Sequence, residues 1–518
     1  MKKRKVIKLL SLFMAVAMSV SLLGACTSGS KDNTDPTPTP AGSTQEPVGT
    51  EEPTDGPDTS EFVKLVMYTY ESGGNRGDED KVLEEVNKLL KDKINAELEL
   101  IALPHDQYET TVQMAINSGE EFDICFTSNW TMPYASNAAK GAFADITDML
   151  PELAPGLWAS MKEGIWDAAR INGRIYAVIN QQLFARISGY ALNGKYYDEY
   201  DGASVADFRT FTDFTLRVKE GEEAKGNKMI NMCYGTDWIS AGYMQSVGWE
   251  RLNSSSTPGT ADISQENPTV FNEYDTDIFR EMIQLKAEQQ AAGVIDADIL
   301  TTASFDRTKI VAEYGNIGLS NNEEQAKSYG WDSAVVKVDG EAFMNTSGTI
   351  ATLNAISATS ENPERALMFL ELLNTDSELY NLLAFGIEGV HYNLVDGNAF
   401  EVIEGSQYSG TNWALGCVFN GLRSAQQPAD IWEITRKTNE EAKASSLMGY
   451  TYDGSKVQSE IAICSAVVSE RMPLFAAGLY GNDTMAEYDK FMNELKDAGV
   501  DAIIADMQAS VDAFIAAK

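Results

Sequence analysis

Residues 62–68 read Phe-Val-Lys-Leu-Val-Met-Tyr, an apolar run of strand length that ends in the turn-forming loop Thr69-Tyr70-Glu71-Ser72-Gly73-Gly74-Asn75. Asp78 stands where it can cap a helix, and Val82, Leu83, Val86, Leu89 and Leu90 then repeat at helical spacing. Ala96 to Ile101 alternates as a second strand. Tyr108 to Asn117 reads as a helix closed by Ser118-Gly119, and Phe122 to Phe126 as a third short strand. Strand, helix, strand, helix, strand is the pattern of a parallel sheet with helices on its faces, so the fold class is α/β.

In such sheets ligands bind at the loops beyond the carboxyl ends of the strands. Two loops qualify: Tyr68 to Asn75 after the first strand, and Thr127-Ser128-Asn129-Trp130 after the third. Tyr70, Glu71, Asn129 and Trp130 are the candidates there. A ring with amide or carboxylate neighbours suits a sugar, whose C–H face stacks while its hydroxyls need donors and acceptors. The competing reading makes Tyr70 and Trp130 core aromatics.

Toward the N-terminus, Lys2, Lys3, Arg4, Lys5 and Lys8 precede an apolar run from Leu9 that ends in Leu23-Gly24-Ala25-Cys26. Charged region, apolar region and small residues have the layout of a secretory signal. The cysteine directly after the small pair resembles a bacterial lipoprotein signal. That resemblance implies removal of residues 1–25, lipidation of Cys26, and a protein held at the extracellular face of the membrane. Residues 26–60 are rich in Thr, Pro, Ser and acidic groups, so they are expected to form a disordered, extended tether.

Toward the C-terminus, Asn172-Gly173 between apolar runs marks a hairpin. Tyr176-Ala177-Val178-Ile179-Asn180 follows, and then an apolar strand ending in Leu192-Asn193. This segment resembles the crossover of the extracellular solute-binding proteins that serve ABC importers. Gly348 to Ser357, followed by Asn362-Pro363-Glu364-Arg365-Ala366, is similar to that family's return crossover, and Pro363 is placed to open a helix. Phe385-Gly386-Ile387-Glu388-Gly389-Val390-His391-Tyr392 resembles a signature of a Gram-positive lipoprotein branch with its own C-terminal domain of unassigned function. Asn412-Trp413-Ala414-Leu415-Gly416 resembles a second element of that branch, with Cys417 in place of its usual Asn. The resemblance implies a two-lobed periplasmic-binding-protein-like fold of type II. Lobe 1 would comprise residues 61–178 with 355–395, and lobe 2 residues 179–354 with 396–518, including the C-terminal helices.

The formal net charge of −37 sets the body against nucleic acid and anionic lipid. Cys125, Cys233, Cys417 and Cys464 are widely spaced among apolar neighbours, and read as buried thiols without a disulfide or metal role. The two histidines, His105 and His391, lack partners at metal-binding or catalytic spacing, and His391 reads as a turn-holding residue. No cofactor and no catalytic constellation is expected. The remaining candidates for ligand contact are Gln181 at the crossover, Trp238 in Thr236-Asp237-Trp238, Asn345 before the return crossover, and Trp413. Tyr243 and Trp249 read as core, or as covering a helix.

The resulting expectation is a monomeric, lipid-anchored receptor that captures a small solute, favoured to be an oligosaccharide, and hands it to an ABC permease. Two other readings stay open: an extracellular glycoside hydrolase, which needs a carboxylate pair in its cleft, and a peptide-binding or sensing receptor.

Overall fold

The computed structural model describes residues 58–227, 243–301, 307–317, 319 and 322–518. The chain opens with β1 (Val63–Glu71), α1 (Glu79–Ile94), β2 (Ala96–Pro104), α2 (His105–Ser118) and β3 (Ile124–Thr127). β1 pairs in parallel with β2 on one side and β3 on the other. Helix α1 buries Val82, Val86, Leu90 and Ile94, an i, i+4 stripe that covers one face of the sheet. Asp78 does not cap it. Its carboxylate makes no cap bond and instead pairs with Lys81 at 2.8 Å.

Residues 170–175 form the expected hairpin, with Arg170 opposite Ile175. Asn172 and Gly173 both have positive φ, 52° and 80°, the conformation an Asn-Gly turn allows. Next come β4 (Ala177–Ile179) in the first sheet and β5 (Arg186–Asn193) in a second. The second sheet also receives β6 (Ala312–Asn316) and β7 (Ala334–Met344), both antiparallel to β5. Helices α3 (Phe208–Ala224) and α4 (Asp277–Ala291) pack behind it. The Asp207 side chain accepts from Thr210 N to cap α3, which holds its carboxyl below the ordinary value.

The chain returns to the first sheet as β8 (Leu353–Ile356), antiparallel to β3 and β4, which fixes the order β2-β1-β3-β8-β4. Pro363 opens α5 (Pro363–Thr375), and α6 (Ser377–Phe385) follows. Later come α7 (Ile431–Glu441) and the two-residue β9 (Lys443–Ala444), parallel to β7 at the edge of the second sheet. The helices α8 (Gln458–Ala476), α9 (Thr484–Asp497) and α10 (Val500–Ala517) complete the second lobe.

Two cores result, each with its own sheet. The chain passes between them three times: through 180–185, through 345–352, and through α7 into β9. Asn439 on α7 holds the first passage. Its Oδ1 accepts from Phe184 N and Ala185 N at 2.8 and 3.1 Å, and its Nδ2 donates to Gln182 O at 2.7 Å.

From sequence, residues 396–518 fall in the second lobe, but the structure divides them. Tyr408, Ala414, Leu415 and Val418 join the first core, with Trp413, Phe419 and Trp432 packed against it. Phe400 meets Phe385 at 4.5 Å, and Tyr408 OH donates to Leu383 O at 2.9 Å. The buried partners of this stretch therefore lie on α6 and the first sheet's loops. The second core resumes at Leu447.

Other residues singled out in the sequence take the following positions. Cys125, Cys417 and Cys464 are free and buried. His391 is buried, and its Nδ1 accepts from Ile387 N at 2.8 Å, holding the turn at Gly389. Tyr243 and Trp249 pack on each other at 5.8 Å, and Trp249 packs on Phe271 at 4.8 Å. Cys26, Cys233 and Trp238 lie outside the described residues.

Candidate ligand-binding site

β1 ends with Tyr70 and Glu71, and β3 ends with Thr127. The loop after β3 turns sharply, with Met132 at φ 44°. Ser128 Oγ fixes this loop by accepting from Trp130 N at 3.1 Å and Thr131 N at 2.8 Å. The turn leaves the Trp130 side chain 45% exposed at the carboxyl end of the sheet. An indole this exposed is uncommon unless something covers it in use.

Trp130 does not stand alone. Its ring lies 5.2 Å from that of Tyr70 and 6.1 Å from that of Trp413, and Tyr70 and Trp413 are 5.4 Å apart. Phe126 supports all three from below, at 5.7 to 6.0 Å. Three of the aromatics singled out in sequence thus form one platform. His105, the first residue of α2, joins its edge. Its ring lies 6.3 Å from that of Trp130, tilted by 31°, and its Nδ1 is 3.1 Å from the Tyr70 hydroxyl. It has a sequence signal only in retrospect: it follows Pro104 at the carboxyl end of β2, another of the loop positions where ligands bind.

The second passage closes one side of the platform. Trp130 Nε1 donates to Ala351 O at 2.8 Å, and Asn129 Nδ2 donates to Ser347 O at 3.1 Å and also to Ser347 Oγ. Asn129 is exposed. Tyr70 is nearly buried, and burial first, then the charge of Glu71, raises its phenol above the ordinary value.

Glu71 has another role than direct contact. It is 7% exposed and its oxygens are engaged. Oε1 accepts from Gly74 N at 2.6 Å and from Thr411 Oγ1 at 3.1 Å, and Oε2 accepts from Arg76 Nε at 2.8 Å. Thr411 Oγ1 accepts in turn from Ser72 N at 3.0 Å. Arg76 continues to the Tyr408 hydroxyl at 3.0 Å. The carboxylate therefore ties the loop that follows Tyr70 to the segment that leads into Trp413, and so holds the platform's two halves together.

Two further candidates do not reach the site. Gln181 is 5% exposed, and its Nε2 donates to Ser160 Oγ at 2.7 Å. Its backbone is bonded to Gly416 and Val418, so the residue serves the first core's packing. Asn345 caps the short helix Thr346–Thr349, with Oδ1 accepting from Gly348 N at 2.8 Å. Gln181 has long-range partners that the local sequence does not name, whereas Asn345 has its partner three residues on. Among the described residues, no group of three or more His, Cys, Asp or Glu side chains is placed to hold a metal ion.

Residues 446–516 match the model of a domain of unknown function, DUF3502. A carbohydrate ABC transporter substrate-binding protein of Streptococcus pneumoniae serotype 4 is 27% identical over 483 residues, which is 88% of this chain and 92% of the relative. The crystal structure of the N-glycan transport solute binding protein NgtS of Streptococcus pneumoniae matches with a TM-score of 0.76 at 23% identity, over 88% of this chain and 99% of that one. The same protein in complex with Man5GlcNAc matches with a TM-score of 0.67 at 24% identity over the same shares of both chains. An extracellular solute-binding protein from Bifidobacterium longum subsp. infantis gives a TM-score of 0.62 at 15% identity, over 87% of this chain and 98% of that one. The chain thus has the two-lobed fold of the solute-binding proteins, ends in the DUF3502 domain, and is similar along nearly its whole body to a carbohydrate ABC transporter substrate-binding protein.

Proposed function

We propose that this protein captures an oligosaccharide on the Tyr70–Trp130–Trp413 platform and delivers it to an ABC permease, without altering it chemically. The observation that carries this reading is three aromatic rings brought together from positions far apart in sequence, at the carboxyl ends of parallel strands, with one indole left open. Rings of this kind give a saccharide's C–H faces a large apolar contact at low conformational cost, while Asn129 and His105 supply polar groups. The relatives support the ligand class, since one is named for carbohydrate transport and another is seen with Man5GlcNAc.

In this reading the first 25 residues are removed, Cys26 carries the lipid, and residues 26–60 tether a monomeric body outside the membrane. The body's entry point is firmly pinned. Buried Arg365 donates to the carbonyl oxygens of Asp58, Glu61 and Asn95 at 3.0 to 3.2 Å, at the amino end of β1. The platform lies at the other end of that strand. Among the described residues no helix is long and apolar enough to cross a membrane.

A thermal-shift screen of the mature protein against neutral oligosaccharides, including Man5GlcNAc, and against peptides of similar size tests the reading. A ligand that binds only the folded state stabilises it by about 2.7 kcal/mol at a hundredfold excess over Kd. A shift with saccharides that leaves their chains intact is the expected result. A shift with peptides alone, or release of sugar products, would overturn it. Loss of fatty-acid labelling in Cys26→Ala tests the anchor separately.

A further inference from the structure

The chain carries 77 acidic against 40 basic residues, so a guanidinium here readily finds a carboxylate. Arg76, Arg174, Arg209, Arg280 and Arg471 are each paired with one or two. Arg186 differs. It is half-buried at the start of β5, where the first passage enters the second lobe, and among the described residues its side chain has no ion pair and no hydrogen bond. Burial alone lowers its pKa, with no acidic residue acting against that. Its side chain is only partly buried and none of its nitrogens is sealed from solvent, so the unpaired donors are open to a ligand.

Its position suggests a use. Gly348 leaves room for the side chain: a Cβ on Gly348 would come within 3.2 Å of Arg186 Nε and 2.9 Å of Phe184 O. Gly348 follows Ser347, which Asn129 reaches from the first lobe. The nearby acceptor on Asn345 is already taken by Gly348 N. The open donors therefore sit against the wall of the aromatic platform, on the second-lobe side.

We propose that Arg186 is a ligand-contacting residue that receives a pair of adjacent saccharide oxygens in its guanidinium fork. The pair is either the carboxylate of an acidic sugar unit or two neighbouring hydroxyls of a neutral one; both present two acceptors to one planar donor set. This assignment rests on the oligosaccharide reading above.

Calorimetric titration with Man5GlcNAc and with a glucuronic-acid-containing tetrasaccharide tests it, using the mature protein and its Arg186→Met and Arg186→Lys variants. The expected result is a loss of at least tenfold in affinity in Arg186→Met, little recovered by Arg186→Lys, whose ammonium lacks the fork. Ligand-free Arg186→Met should melt at or above the wild-type temperature, because it removes a half-buried cation that has no partner among the described residues. A loss confined to the acidic tetrasaccharide, and diminished by salt, identifies the carboxylate source; a loss with Man5GlcNAc identifies the hydroxyl pair. Unchanged affinity for a saccharide that the wild type binds overturns the role of Arg186 and leaves the oligosaccharide reading standing. A variant that melts lower overturns it too, by making Arg186 part of the scaffold. Wild-type protein that binds neither saccharide removes the ligand reading itself, and this assignment with it.

Discussion

Aromatic residues fill both lobes, and the lobes use them differently. In the second lobe they close on each other. Tyr190 lies 4.7 Å from Tyr314 and 5.4 Å from Phe211, and Phe279 is ringed by Tyr274, Phe475 and Phe491 at 5.3 to 6.4 Å, with no exposure. In the first lobe, Tyr70, Trp130 and Trp413 are equally close, yet Trp130 keeps 45% of its surface open. Contact between rings is the same; what differs is whether the cluster ends in more protein or in solvent. The second lobe's cluster is a core, and the first lobe's has an unfinished side.

That difference has consequences for each region. Phe279→Ala should cost about 3–5 kcal/mol of stability by leaving a cavity in a packed cluster. Urea denaturation measures it, and a loss below about 1 kcal/mol would break the description of this cluster as a tightly packed core.

The next effect concerns pH. Glu250 in the second lobe is buried, its carboxyl pushed up to about 7 by burial, with a hydrogen bond from Ser445 at 2.7 Å opposing that shift. The folded protein therefore holds this proton more tightly than the unfolded chain does. Its contribution to stability is complete below the ordinary value of 4.5 and is lost as pH rises through about 7. Glu250→Gln should match wild type near pH 4.5 and exceed it by about 2–3 kcal/mol near pH 8.5. Equal pH dependence of melting in the two proteins would contradict this.

A smaller effect belongs to the platform. Glu71→Ala removes the acceptor shared by Gly74, Arg76 and Thr411, so the two halves of the platform lose their tie. Oligosaccharide affinity should fall about tenfold, about 1.4 kcal/mol. Glu71→Gln, which keeps an acceptor for Thr411, should fall less. Equal affinity in all three proteins would show that the platform assembles without this carboxylate.

The contrast between local and distant information runs through the whole molecule. The first sheet was legible because its helices and strands carry their own periodicity, as in Val82, Val86, Leu90 and Ile94. The Asn172-Gly173 hairpin was legible because two positive φ angles demand those residue types. The placement of Tyr70 and Trp130 was legible because strand order alone puts their loops at the carboxyl end of the sheet. The engagement of Glu71 by Thr411 was not legible, because the two lie 340 residues apart. The partners of Gln181 were hidden for the same reason, its backbone being bonded to Gly416 and Val418. The stretch 399–432 has strands of two to four residues and no sustained period, so only its contacts with α6 and the β1 loop reveal that it belongs to the first core. Arg186 escaped notice because an absent partner leaves no trace in sequence.

The open side of the first-lobe cluster is the central claim, and calorimetry on matched tryptophan variants tests it most directly. Trp130→Ala removes the exposed ring, whereas Trp249→Ala removes a second-lobe ring that packs on Tyr243 and Phe271. Titrated with a saccharide that binds the wild type, Trp130→Ala should lose about 1–3 kcal/mol of binding, by analogy with aromatic stacking on bases, while its melting temperature barely moves. Trp249→Ala should lose stability and keep its affinity. Unchanged binding in Trp130→Ala, or the loss appearing in Trp249→Ala instead, would contradict the assignment of the ligand to the first lobe's open platform.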